Sequence, residues 1–169
     1  MSAMSRKLLP AALALAAALL LAACGFQLRG AANLPYETLF VNAPPTSPFA
    51  VEFKRAVRSG SNTRVVDTPK EAQATFHLLS ETREKVILSL SAGGRVREYQ
   101  LRYHMAYRVA GKDNRELRAP TQIALYRDLS YRDEDALSKE SEEALLYRDM
   151  QSDAVSQLMR QLQAMRPAQ

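Results

Sequence analysis

Between Tyr99 and Val109 the chain alternates: Tyr99, Leu101, Tyr103, Met105, Tyr107 and Val109 point one way, while Gln100, Arg102, His104 and Arg108 point the other. A period of two predicts a strand with one buried and one wet face. Such a strand cannot stand alone. It needs neighbours to satisfy its backbone and a second layer to cover its apolar side, so this run demands a sheet with something packed on one face.

The flanking sequence supplies both. Residues 73–91 read as a long strand, with Phe76, Leu78, Val86, Leu88 and Leu90 expected on one face and a polar stretch at Ser80, Thr82 and Glu84 marking a bend. Ser91-Ala92-Gly93-Gly94 reads as a hairpin turn, and Gly111-Lys112-Asp113-Asn114 as a second. Leu117, Ala119, Thr121, Ile123, Leu125, Leu129 and Tyr131 alternate along a third long strand, in which Pro120 indicates an edge or a bulge. Upstream, Thr38–Val41 is a short strand with Leu39 and Val41 on one face.

Two helices are expected. Ser47-Pro48 is a helix start, with Ser as N-cap and Pro in the first turn; Phe49, Phe53 and Val57 form its stripe, and Gly60 ends it. Tyr147, Met150, Ala154, Leu158, Leu162 and Met165 recur at helical spacing after an acidic break at 133–135, and Pro167 stops the run. The order is strand, helix, strand, strand, strand, helix. We therefore expect an α+β fold: a two-layer sandwich with a mainly antiparallel four-stranded sheet covered by two helices.

The first 23 residues are read as a signal peptide. Arg6 and Lys7 precede an apolar run from Leu8 to Leu21 that is shorter than the roughly 20 residues needed to span a bilayer. Leu21-Ala22-Ala23-Cys24 resembles a bacterial lipobox, with the only cysteine of the chain at its last position. That pattern implies cleavage before Cys24 and acylation of its thiol. Gly25, rather than Asp, follows the cysteine, which favours export to the outer membrane. Residues 24–36 are then a lipidated tether and residues 37–166 the folded domain, on the periplasmic side with no transmembrane helix.

One Cys, two His and no Trp argue against a disulfide scaffold or a Cys/His metal centre. No Gly-rich phosphate loop, no Gly-x-Ser-x-Gly elbow and no carboxylate pair with a spacing that forces proximity is present, so no catalytic residue, metal or cofactor is assigned and the chain is not read as an enzyme. Charge is unevenly spread: residues 93–132 carry net +5 and residues 133–169 net −4. A basic middle suits an anionic partner. In a periplasmic lipoprotein that partner is anionic lipid rather than nucleic acid. Arg95 and Arg97, just past the Gly93-Gly94 turn, are either a solvated charge run or a phosphate site, for which the guanidinium fork is well shaped.

Three segments together resemble the LptE family of lipopolysaccharide-assembly lipoproteins: Cys24-Gly25-Phe26-Gln27-Leu28-Arg29-Gly30, Gly94-Arg95-Val96-Arg97-Glu98-Tyr99-Gln100-Leu101, and Ala136-Leu137-Ser138-Lys139-Glu140-Ser141-Glu142. The resemblance covers essentially the whole chain after residue 23. It implies the same sandwich and a one-to-one plug-in-barrel complex with the outer-membrane β-barrel LptD. The role it implies is helping that barrel fold and delivering lipopolysaccharide to the outer leaflet. It also implies lipopolysaccharide binding by basic residues at the hairpin tip and at the start of the last helix. Lys139 matches the second position. The family's basic position at the tip falls on Ala92, so the charge there must come from Arg95 or Arg97. The alternative is another periplasmic scaffold or accessory lipoprotein of outer-membrane or cell-wall assembly.

Overall fold

A computed structural model describes residues 33–165. Five strands form one sheet: β1 (Thr38–Asn42), β2 (Arg64–Val66), β3 (Ala74–Leu90), β4 (Val96–Gly111) and β5 (Glu116–Ser130), in the spatial order β2-β1-β3-β4-β5. Helix α1 (Pro48–Gly60) follows β1, and the 28-residue α2 (Ala136–Gln163) follows β5. The α+β sandwich is as expected, but the sheet has five strands, not four. The extra strand, β2, is three residues long, too short to show a period. It pairs parallel with β1, and β1 pairs parallel with β3, so the sheet is mixed; the long β3-β4-β5 meander is antiparallel.

Both helices lie on one face. Phe49, Phe53 and Val57 of α1 and Met150, Ala154, Leu158 and Leu162 of α2 bury completely against Leu101, Tyr103, Met105 and Tyr107 of β4. Phe76 is the hub: its ring centroid lies 4.8 Å from Phe53, 5.5 Å from Tyr107 and 6.3 Å from Phe49. These separations are those of productive aromatic packing. The core begins at Leu34 and Tyr36, ahead of β1. Ser47 caps α1 as its sequence predicts, its Oγ accepting from the Ala50 N–H at 3.2 Å.

The face assigned to β3 does not hold along its length. Leu78 pairs with Tyr107 but Ser80 pairs with Ala106, so Leu79 is an extra residue in the strand. A bulge of one residue switches the side chains after it to the opposite face, here up to the next slip at Leu88. Phe76 and Leu78 therefore face the helices, but beyond the bulge Glu81, Arg83 and Lys85 do. Val86 faces away, opposite Gln100.

The polar residues turned inward are paired. Tyr103 Oη donates to Glu81 Oε1 at 2.8 Å, and Ser47 Oγ donates to Glu81 Oε2 at 3.0 Å. Arg83 donates to Gln151 Oε1 at 3.0 Å, and the amide of Gln151 donates to Glu52 at 2.6 Å. This network joins the sheet to both helices and leaves the buried Ser47, Tyr103 and Gln151 satisfied. Pro120 sits in an edge strand beside a further register slip, since Tyr107 pairs with Thr121 and Val109 with Arg118. Both features suit a residue without an N–H.

Candidate functional site

The β3–β4 hairpin closes through the Ser91 N–H donating to Arg95 O at 2.7 Å and the Gly94 N–H donating to Ser91 O at 2.9 Å. Gly94 has φ +76°, a left-handed conformation that glycine takes without the steric penalty a Cβ brings. Just past it, Ser89 pairs with Glu98 and Leu90 with Val96, so Arg97 is an extra residue on β4. A bulge re-aims its side chain and frees its backbone from β3. The Arg97 carbonyl instead accepts the Tyr131 N–H at 2.7 Å. That bond brings the end of β5, and Arg132 with it, against the hairpin.

The result is an open groove of about 700 Å³, whose lining includes Leu90, Arg95, Val96, Arg97 and Arg132. Glu98 and Glu134 also line it, and Ser89 Oγ donates to Glu98 Oε2 at 2.8 Å. Arg95, Arg97 and Arg132 are exposed. Lys139 reaches the same place from the first turn of α2. Its Nζ donates to Ser130 Oγ at 3.2 Å and to Glu142 Oε2 at 2.8 Å, and Ser130 is itself part of the groove lining. Arg95, Arg97 and Lys139, separated by more than forty residues, are thus gathered at one end of the sheet.

Arg132 completes the group, and the sequence reading had not singled it out. Its only signal was the proximity of a basic residue to the end of the third long strand. The same end carries solvent-facing apolar side chains: Ile87 is 57% exposed, Leu88 47%, Leu90 55% and Leu137 83%. Lys85, nearby, plays a different part. It is paired with Glu143 at 2.7 Å and lies 4.3 Å from the centre of the Tyr99 ring, and the hydrogen bond to Glu143 raises its pKa. It clamps α2 to the sheet.

The sheet face opposite the helices is polar, as the alternation predicts. His104 stands against Tyr126 with ring centroids 5.6 Å apart, and Arg102 Nε donates to Gln100 Oε1 at 2.9 Å. Ala106 and Ala124 leave its middle low. Cys24 lies outside the described residues. Among the described residues, no helix is long and apolar enough to cross a membrane, and no group of His, Cys, Asp and Glu could hold a metal ion.

The LptE family, described as lipopolysaccharide-assembly, matches residues 36–162. The LPS-assembly lipoprotein LptE of Yersinia pestis (strain Pestoides F) is 30% identical across 86% of this chain and 71% of its own length. That of Yersinia pseudotuberculosis serotype O:1b matches to the same extent. The solution structure of lipoprotein B from Nitrosomonas europaea superposes with a TM-score of 0.73 at 39% identity, covering 83% of this chain and 91% of that one. The crystal structure of rare lipoprotein B from Shewanella oneidensis has the same fold, with a TM-score of 0.65 at 24% identity over 74% of this chain and 92% of that one.

Proposed function

Because the chain belongs to the LptE family of lipopolysaccharide-assembly proteins, we propose that it is an outer-membrane lipoprotein, acylated at Cys24, that partners the β-barrel LptD and binds lipopolysaccharide at the hairpin tip. The role is assembly and delivery, not catalysis. Residues 1–23 are the removed signal, and the segment from Cys24 tethers the domain on the periplasmic side of the membrane.

The observation that carries the lipopolysaccharide reading is the pairing of cations with exposed apolar side chains at one end of the sheet. Lipid A is a phosphorylated sugar bearing acyl chains. Arg95, Arg97 and Arg132 can fork onto phosphate oxygens, and Lys139 can exchange its Ser130 and Glu142 contacts for one. Leu88, Leu90 and Leu137 offer apolar surface for the chains beside those phosphates. The polar sheet face opposite the described helices, with Gln100, Arg102, His104 and Arg108, is the surface we assign to the barrel wall.

The test is a pull-down of the tagged full-length protein from detergent-solubilised outer membranes, probed for a heat-modifiable β-barrel and for lipopolysaccharide. A stoichiometric barrel together with lipopolysaccharide supports both parts. A barrel without lipopolysaccharide, unchanged by Arg95→Glu/Arg97→Glu, defeats the assignment of the tip. A lipidated protein that comes down alone defeats the complex.

A further inference from the structure

At the opposite end of the sheet, on the face away from the two described helices, lies a second open groove of about 740 Å³. Its floor is Phe40, Thr75, His77 and Ala110, from three adjacent strands. The 3₁₀ turn Pro69–Glu71, on the way from β2 to β3, forms one wall and carries Lys70. The 3₁₀ turn Lys112–Asn114, between β4 and β5, forms the other and carries Lys112. Among the described residues neither lysine is in an ion pair. The one carboxylate in the lining is Asp113.

The floor adds donors. The Asn42 amide nitrogen lies 3.0 Å from His77 Nδ1, an arrangement in which it donates and the ring carries its proton on Nε2. Arg108, paired across the strands with His77, is held by Asn114 Oδ1 at 3.2 Å. Lys70, Lys112 and His77 therefore line a cleft floored partly by Phe40 and Ala110, with Arg108 paired behind His77, which suits an anion attached to something apolar.

The chain entry fixes what lies close by. The Glu37 N–H donates to Gln73 Oε1 at 2.7 Å, joining the start of the domain to the segment that forms the Lys70 wall. Ten residues separate Leu34 from Cys24, and a chain of that length reaches at most about 35 Å. An acylated Cys24 would keep Leu34, and with it this entry to the domain, within about 35 Å of the leaflet that holds its chains.

We propose that this groove binds the phosphate of an anionic phospholipid from that leaflet, as a site separate from the hairpin tip. The proposal rests on the acylation of Cys24 for its supply of lipid, and the experiment separates the two. The full-length chain, expressed with its signal, is purified in dodecyl maltoside micelles doped with either phosphatidylglycerol or phosphatidylcholine of the same chain composition. Native mass spectrometry then reads both the acyl mass on the chain and the phospholipid it retains.

The expected result is retention of phosphatidylglycerol over phosphatidylcholine. Occupancy should fall about tenfold in Lys70→Glu/Lys112→Glu and in the milder Lys70→Gln/Lys112→Gln. The charge-matched Arg55→Glu/Arg58→Glu, on the exposed side of α1, should keep it. Equal retention of the two lipids, or equal losses in the groove variants and the α1 control, overturns the site. A chain without acyl mass that still retains phosphatidylglycerol supports the groove and overturns the anchor instead.

Discussion

The Tyr103 hydroxyl donates to Glu81 from the middle of the sheet, on the very face that the helices cover. Burial, and then the bond to Glu81, raise the pKa of that hydroxyl, so it stays protonated and donating across the whole accessible pH range. Glu81 also receives the Ser47 hydroxyl, which at the same time caps α1. One carboxylate thus ties together a strand, its neighbour and the start of a helix.

Tyr103→Phe is expected to lower the unfolding free energy by about 1 kcal/mol, because Glu81 loses one of two donors while the ring packing remains. Ser47→Ala removes the other donor and the cap, for about 1–2 kcal/mol. As both act on one acceptor, the double variant should depart from the sum of the two. Urea titration of the four proteins reads this coupling; strict additivity would show that the network has no shared energetics.

Phe76→Ala should be among the most damaging single changes, costing about 3–5 kcal/mol, since it empties the centre of the Phe49, Phe53 and Tyr107 cluster. Ile87→Ala, in the same strand but 57% exposed, should stay within about 0.5 kcal/mol. Thermal melts of the pair test the assignment of buried and exposed residues on β3.

Arg95→Glu/Arg97→Glu should leave the melting temperature nearly unchanged, as both side chains are exposed. Its retention of lipopolysaccharide should fall by about tenfold or more, with Lys139→Glu adding to the loss. In wild type the binding should weaken as salt is raised, and the charge-reversed variant should have lost most of that salt dependence. Lipopolysaccharide capture on an immobilised protein across a salt series measures both.

His77 makes a prediction about pH. Burial first, and the neighbouring Arg108 second, lower its pKa from 6.5 in the folded state. The unfolded chain therefore binds more protons than the native one between 6.5 and that lower value, so stability rises with pH across the window. Above pH 6.5 the histidine contributes no pH dependence. On acidification below 6.5 the melting temperature should drop modestly, and His77→Gln should flatten that part of the curve. An unaltered curve in the variant would remove His77 from the account.

Arg102→Glu/His104→Glu, on the polar sheet face opposite the described helices, should preserve the fold and reduce recovery of the barrel partner several-fold in the outer-membrane pull-down. Full recovery would direct attention to a different surface of the domain.

The two-layer architecture was legible because β4 and α2 each keep a strict period. The capping of α1 was equally plain, since Ser47-Pro48 specifies a local geometry that needs no tertiary help. The Leu79 bulge was not. A one-residue phase change leaves Leu78 and Val86 both apolar and equally consistent with either face; only pairing with β4 decides between them. β2 was missed because three residues carry no periodicity. At the tip, Arg95, Arg97 and Lys139 were readable as basic residues, but Arg132 joins them through a backbone bond from Tyr131 to Arg97 that no spacing rule foretells.

The order β2-β1-β3-β4-β5 also has a bearing on folding kinetics. Strands β3, β4 and β5 can zip together through short turns, whereas β1 has only a three-residue pairing with β2 until β3 arrives. Parallel pairing of β1 with β3 requires closing a loop of some thirty residues, an entropic cost that delays it behind local hairpins. Of these strands the one synthesised first is therefore inserted last, and until then the apolar face of Leu39 and Val41 stays open at the start of the domain. Any helper that shields the newborn chain has its task at this N-terminal gap, and the meander can look after itself.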